Sequence, residues 1–338
     1  MKKTAALAVE KEEKHMARID LLPSGGCQYK ANLHCHSHLS DGEFSPEKLR
    51  DIYREKGYSV LAVTDHNRLV EHSDLNREDF LMLTGYEVDF LSGEKPDWMQ
   101  CRCCHLNLYS KTPTPSGQPD EGLSRAYTPD SVNAMIRKAG AMGFLACYNH
   151  PQWSMETQEE YGKYEGCFAM EVRNYGCTAD GGQDGNNILV YEDMLRHGKR
   201  LAVVASDDNH NHHPLDHPNS DSFGGFTMIA APSLSYPAVI AALEKGDFYA
   251  SGGPLITALY VEDGELVVEC PPCREIIFAC ESRRALRVAG EPLTGARFPL
   301  LPQDGYVRIE VADEKGERAF TRAYFPGKDF PKAFCGGE

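Results

Sequence analysis

From residue 29 to about Gly253, short apolar runs alternate with stretches in which apolar residues recur every three or four positions, the pattern of β/α units. The runs predict strands over 29–33, 60–64, 80–84, 105–108, 144–148, 168–172 and 201–205, short and uniformly apolar as in buried parallel sheets. Seven such strands point to a closed barrel. The helices between them carry their own punctuation. Ser45 caps one that has Pro46 at its first position, buries Leu49 and Ile52, and stops at Gly57. Thr128 and Pro129 open a second that ends near Gly140. A third runs from about Asn187 to His197 with Gly198 as its stop, and a fourth from about Tyr236 to Lys245 with Gly246.

After Gly253 the helical period disappears. Strands are expected over 255–261, 265–269, 275–279, 306–311 and 319–325, with turns at Asp263-Gly264 and at the charged stretch ADEKGER. The expected organisation is a loosely ordered arm over 1–25, an α/β barrel over 26–253, and a small all-β, sandwich-like domain over 254–338.

Composition narrows the function. With 35 Lys and Arg against 50 Asp and Glu, the formal charge of −15 argues against binding long nucleic acid and leaves room for a small anionic substrate. No apolar stretch has the length that spans a bilayer. Lys2 and Lys3 precede a small apolar run that ends at Glu10, too soon for a signal peptide. The 12 cysteines scatter without framework spacing, so a reducing cytoplasm is the expected compartment. Cys270 and Cys273 enclose two prolines, lack a second pair at zinc-ribbon spacing, and are read as a turn between strands.

A metal-capable side chain stands at the end of nearly every predicted strand, where barrel folds carry their function. LHCHSHLSDG places His34 and His36 on one side of an extended segment, because side chains alternate with period two, and Asp41 follows in the next turn. TDHN puts Asp65 and His66 at a strand tip, GYEVDF supplies Glu87, His105 begins a strand, and YNHP ends one with His150. ASDDNH offers Asp208 and His210, with Asp207 as the alternative carboxylate. Imidazoles and carboxylates without thiolates suit manganese, iron or zinc. Around them, Asp65 is placed to orient the His66 ring or to serve as a turn residue, and Arg173 and Arg68 are the candidates to clamp a phosphate, although an arginine near a strand end is more often a surface ion-pair partner. His212, His213 and His217 are spare imidazoles for a leaving group or members of a solvated loop. Trp98 and Trp153 rim the barrel mouth, to stack on a substrate ring or to anchor their loops; His38, His72 and His197 read as structural or surface residues.

HCHSHLSDG, TDHN, the Glu87 segment, His105, NHP and the terminal Asp-x-His together resemble the ordered motifs of the PHP (polymerase and histidinol phosphatase) superfamily of metal-dependent phosphoesterases. FYASGGPLI and RIEVADEKGERAF resemble the tail of two-domain members related to the CehA/McbA metallohydrolases. The resemblance implies a distorted (β/α)7 barrel holding two or three divalent ions. It further implies that His34 and His36 bind one metal and that Glu87 bridges it to a second held by His105 and His150. Asp41, His66 and His210 match the remaining site, and Asp208 the final aspartate, preferred over Asp207 on its Asp-x-His spacing.

The expected activity is therefore hydrolysis of a small phosphorylated metabolite or nucleotide by metal-activated hydroxide, with Glu87, Asp208 and His210 at the reaction centre and Arg173 as the clamp. One alternative keeps the metals and changes the bond to a carboxylic ester, carbamate or amide. Another is a noncatalytic binding protein in which metals only stabilise the barrel.

Overall fold

The computed structural model describes residues 17–93 and 99–335. Most of the expected arm, with His15, and Trp98 lie outside the described residues. The chain opens with β1 (Ile19–Asp20), β2 (Cys27–Asn32), α1 (Pro46–Glu55), β3 (Val60–Val63), β4 (Leu81–Leu91), β5 (Cys103–Ser110), α2 (Pro129–Ala141) and β6 (Phe144–Tyr148). It continues with α3 (Gln158–Tyr161), β7 (Ala169–Asn174), α4 (Tyr175–Ala179), α5 (Ile188–Arg196), β8 (Ala202–Ser206), β9 (Phe226–Ala231), α6 (Tyr236–Lys245) and β10 (Phe248–Ser251). Five further strands follow: β11 (Ala258–Glu262), β12 (Glu265–Cys280), β13 (Ala285–Pro299), β14 (Val307–Ala312) and β15 (Arg318–Phe320).

The punctuation read from the sequence is realised. Ser45 accepts from the Lys48 amide at 3.3 Å and Thr128 from the Ser131 amide at 3.3 Å, each satisfying an otherwise orphaned N–H of a helix first turn. Gly246 closes α6 at φ +77°, a left-handed conformation that costs glycine nothing. Helices α2 and α5 bury Val132, Met135, Tyr191 and Met194 against the sheet, whereas α1 packs Leu49 and Tyr53 on the other side.

The molecule is mixed α/β, built on one large mixed sheet with few helices. Four ladders are parallel, β2 with β3, β3 with β4, β6 with β7, and β7 with β8. The expectation of parallel strands throughout fails at β5, which runs antiparallel to both β4 and β6. No helix stands between β4 and β5 among the described residues, which permits the first reversal; α2 does stand between β5 and β6, and short apolar runs carry no information about direction. At the other end β9 pairs antiparallel to β2. The seam between β8 and β9 is joined by a side chain: the Thr227 hydroxyl accepts from Ala205 N at 3.1 Å and donates to Ala205 O at 2.9 Å.

The C-terminal strands continue the same sheet, because β10 pairs with β9 on one side and β15 on the other. Residues 265–280 form one strand where two were expected, and Cys270 and Cys273 lie inside it rather than in a turn. The register shifts between Glu269 and Cys273, which accommodates two prolines that cannot donate to a ladder, and the two sulfurs lie 3.6 Å apart. Part of the segment expected as an arm is packed: Ile19–Asp20 pairs with β11, and Leu21 and Leu22 are buried in the core beside it. No described helix is long and apolar enough to cross a membrane.

One buried carboxyl of this frame sets a pH-dependent stability. Glu156 accepts from Tyr148 Oη at 2.6 Å, from Tyr127 Oη at 3.3 Å and from Tyr164 Oη, and burial pushes its pKa up to about 7. A carboxyl raised on folding contributes stability that is full below its unfolded pKa and is lost as pH rises through its folded one. Between pH 5 and 8 the wild type is expected to lose Tm more steeply than Glu156→Gln, which mimics the protonated form. Parallel Tm–pH profiles of the two proteins would overturn the assignment.

Candidate metal centre

Two backbone bridges stitch the first motif to the last. Asp208 N donates to His34 O at 2.9 Å and His36 N to Asn209 O at 3.0 Å, so LHCHSHLSDG and ASDDNH lie side by side. His34 and His36, separated by one residue, turn their Nε2 atoms to within 3.1 Å of each other, as period-two alternation requires. Antiparallel pairing supplies the next members. His105 stands opposite Asp89 in the β4–β5 register and therefore on the same face as Glu87, two residues away. His150 and Asp208 both hold left-handed backbone conformations, φ 24° and 51°, which these residue types adopt only when their surroundings enforce it.

Glu87 is the hub. Its Oε1 lies 3.1 Å from His105 Nδ1, 3.3 Å from His34 Nε2 and 3.4 Å from His150 Nε2. Its Oε2 lies 3.2 Å from His66 Nδ1 and 3.4 Å from His36 Nε2, is fully buried, and accepts no hydrogen bond among the described residues. Asp208 approaches His34 at 3.0 Å and His36 at 3.1 Å through Oδ1. Asp41 reaches His36, His66 and His210, each at 3.5 Å.

Each of four overlapping sets gathers its donor atoms within 4.8 Å: His36, Asp41, His66 and His210; His34, His150 and Asp208; His34, His36 and Glu87; His66, Glu87 and His105. The set of His34, His36 and Glu87 brings together the residues that the resemblance assigns to one ion, while His36 also gathers with Asp41, and His150 gathers with His34 and Asp208 rather than with His105. Electrostatics are mutual. Burial disfavours charge on His36 and Glu87, yet Asp208 and Glu87 push His36 up to about 9, and the histidines hold Glu87 well below the usual carboxylate range. His66 differs, because burial dominates and pulls it to about 4.

Asp207 is not among the gathered donors. Its Oδ2 accepts from Tyr53 Oη at 2.6 Å and Phe223 N at 2.8 Å, and its Oδ1 from Gly224 N at 2.9 Å and Gly225 N at 2.8 Å. It ties the loop before β9 to the strand end. Asp65, expected to orient the His66 ring, instead binds the first-motif turn through Ser37 N at 2.8 Å, Ser37 Oγ at 2.7 Å and Ser40 Oγ at 2.8 Å.

The expected phosphate clamp finds no support in the placement of Arg173, whose guanidinium pairs with Glu317 at 2.8 Å and donates to Gly224 O at 3.2 Å. Arg68 is exposed and reaches the Leu39 carbonyl at 3.4 Å. Among the spare histidines, His212 Nε2 lies 3.2 Å from the Asp41 carbonyl oxygen, while His213 and His217 stack at 4.4 Å. Trp153 sets its ring edge-to-face with His150 at 5.0 Å and His105 at 5.7 Å, so it walls one side of the cluster. His38 and His197 are exposed and His72 is buried and belongs to none of the four sets.

Sequence reasoning missed Glu171. It is buried on β7, receives His34 Nδ1 at 2.8 Å and accepts from His150 N at 3.1 Å and Asn174 Nδ2 at 2.9 Å. Asn174 also donates to Asp208 at 2.9 Å. These groups fix which nitrogen His34 turns toward the cluster. The available signal was a lone carboxylate within the apolar run of a buried strand, a placement that demands a partner.

No family model matches the chain. Over 82 residues it is 33% identical to the DNA polymerase/3'-5' exonuclease PolX of Bacillus subtilis (strain 168), a stretch covering 24% of this chain and 14% of that enzyme. Among solved structures it is similar to a two-domain protein of Bacteroides vulgatus ATCC 8482 containing a predicted PHP-like metal-dependent phosphoesterase, at 16% identity and TM-score 0.46, covering 94% of this chain and 100% of the other. The PHP-like motifs of the chain are those that converge in the cluster just described. A likeness to an amidohydrolase of Chromobacterium violaceum, solved with bound sulfate and no metal, covers 53% of this chain and 87% of that one at 15% identity and TM-score 0.35.

Proposed function

We propose that the chain is a PHP-type metal-dependent hydrolase of small phosphorylated metabolites or nucleotides, with a distorted barrel and an appended all-β module, and that the CehA/McbA likeness of its tail belongs to the same reading. The observation that carries it is the convergence of six imidazoles and three carboxylates on one another, with Glu87 Oε2 buried and without a hydrogen bond among the described residues. A buried carboxylate oxygen left bare is costly unless a cation completes it, and an all-imidazole and carboxylate set fits manganese, iron or zinc. His34, His36, Asp41, His66, Glu87, His105, His150, Asp208 and His210 would hold two or three such ions. When bound, the ions supply Lewis acidity and make water acidic enough to lose a proton near neutral pH.

The chain's own residues do the rest. Glu87, with each oxygen facing a different group of histidines, keeps those groups in fixed relation. Glu171 and Asn174 hold His34 and Asp208 in orientation, and Trp153 keeps water from the His105–His150 side. His212, at the rim beside Asp41, is the imidazole we assign to protonating the leaving group.

A second reading, hydrolysis of an ester, carbamate or amide, is favoured by one observation: Arg173 is neutralised by Glu317 and so is not free to clamp a phosphate. The test is release of inorganic phosphate from phosphomonoesters, nucleotides and a cyclic phosphate by manganese-loaded protein, before and after chelation. Phosphate release abolished by chelation is the expected result. Metal-loaded protein that releases no phosphate but cleaves carboxylic esters or amides would overturn the phosphoester assignment in favour of the second reading.

A further inference from the structure

Arg173 and Glu317 raise a different question, since a buried arginine on a barrel strand is paired with a residue from the turn between β14 and β15. That turn is firmly built. Asp313 Oδ1 accepts from Lys315 N and Glu317 N, both at 2.9 Å, and Asp313 N donates back to Glu317 O at 3.0 Å. Behind it, Gly252 N donates to Arg318 O at 2.9 Å, continuing the β10–β15 ladder. Glu317 is thus presented to Arg173 on a rigid support.

The space for the pair is equally specific. A Cβ on Gly252 would stand 2.6 Å from Glu317 Oε2 and 2.8 Å from Arg173 Nε, so the ion pair is seated directly over this glycine. On the far side, Arg173 Nε donates to Gly224 O at 3.2 Å. The amide nitrogens of Gly224 and Gly225 both donate to Asp207 Oδ1, and the next residue, Asp208, faces His34 and His36. The loop has no slack there, because a Cβ on Gly224 would fall 2.3 Å from the Tyr175 ring.

We infer that Glu317, through Arg173 and the 223–225 loop, is a positioning residue for Asp208, so that the C-terminal β module tunes the metal affinity of a site to which it contributes no ligand. The inference rests on the reading of Asp208 as a metal ligand. The planar guanidinium is what makes the linkage possible. Its fork holds the carboxylate with one nitrogen and the Gly224 carbonyl with another, which a lysine ammonium on a flexible stem cannot reproduce. Loss of the carboxylate frees the fork to turn, slackens the Gly224 carbonyl, and lets the Asp207–Asp208 corner relax from its left-handed backbone conformation.

The test is titration of the full-length, metal-stripped protein with manganese(II) against a competing chelator. Glu317→Gln, Arg173→Lys and Gly252→Ala are each expected to weaken manganese binding on the order of tenfold, about the size of one orienting contact around a metal ligand. Arg284→Gln breaks another ion pair of the β module, at 2.7 Å to the buried Asp304, and serves as the control: it is expected to lower Tm and leave manganese affinity intact. Unchanged affinity in Glu317→Gln, or an equal loss in Arg284→Gln, would overturn the inference while Asp208→Asn still abolishes binding. Undiminished binding in Asp208→Asn would overturn the ligand reading, and this inference with it.

Discussion

Glu87→Gln is expected to lower turnover by a factor on the order of 10³ or more and to reduce the divalent metal bound per chain, because a residue that only orients a ligand is already worth ~10–100-fold. Glu87 is 1% exposed and has imidazole nitrogens within 3.4 Å of both carboxylate oxygens, so no solvent substitutes for it. Glutamine keeps the shape and one acceptor, but it removes the charge and turns an N–H₂ toward nitrogens that must present lone pairs to an ion. The substitution therefore separates charge from packing. The check is metal content by elemental analysis after gel filtration, alongside hydrolysis rates at saturating manganese. A variant with full metal content and wild-type rate would remove Glu87 from the centre and with it the arrangement proposed for the whole cluster.

Much of this centre was legible because its members obey local rules. His34 and His36 announce their shared side by alternation, and β6 and α6 appear with the bounds the pattern predicts. What was not legible is whatever depends on strand direction or on a partner remote in sequence. The reversal of β5, which aims His105 at Glu87, has no marker in the apolar run that encodes it. β9 was not legible although FTMIAA is apolar, because what makes it a strand is its antiparallel pairing with β2, which is remote in sequence. β13 was missed because two glycines and two prolines break its alternation, features that read as turns unless a neighbour such as β12 is known to lie alongside. Glu171 was not legible because one carboxylate in a strand reads as a solvent-facing side chain until the face it occupies is known. Arg173 shows the opposite error: its strand-end position was read correctly, and its partner, Glu317, lay 144 residues away in a turn that looked merely charged.

The adjacent aspartates divide two tasks that the sequence places in neighbouring positions. Asp208→Asn is expected to lose metal and activity together, since its Oδ1 lies within 3.1 Å of both His34 and His36 and its charge holds their place. Asp207→Asn is expected to retain the full complement of metal at saturating manganese and to lose stability instead. Four donors converge on the Asp207 carboxylate, from Tyr53 and three successive amides, and an asparagine must set its own N–H₂ against at least one of them. Unpairing a buried donor in this way costs about 1–3 kcal/mol, enough to be read as a drop in Tm of several degrees. Tyr53→Phe removes one of those donors and should lower Tm by less, with metal content again unaffected. The decisive comparison is therefore crossed: metal content falls only in Asp208→Asn, and metal-free Tm falls most in Asp207→Asn. If the two outcomes were exchanged, Asp207 would be the ligand and the loop at 223–225 would have to open to let it turn.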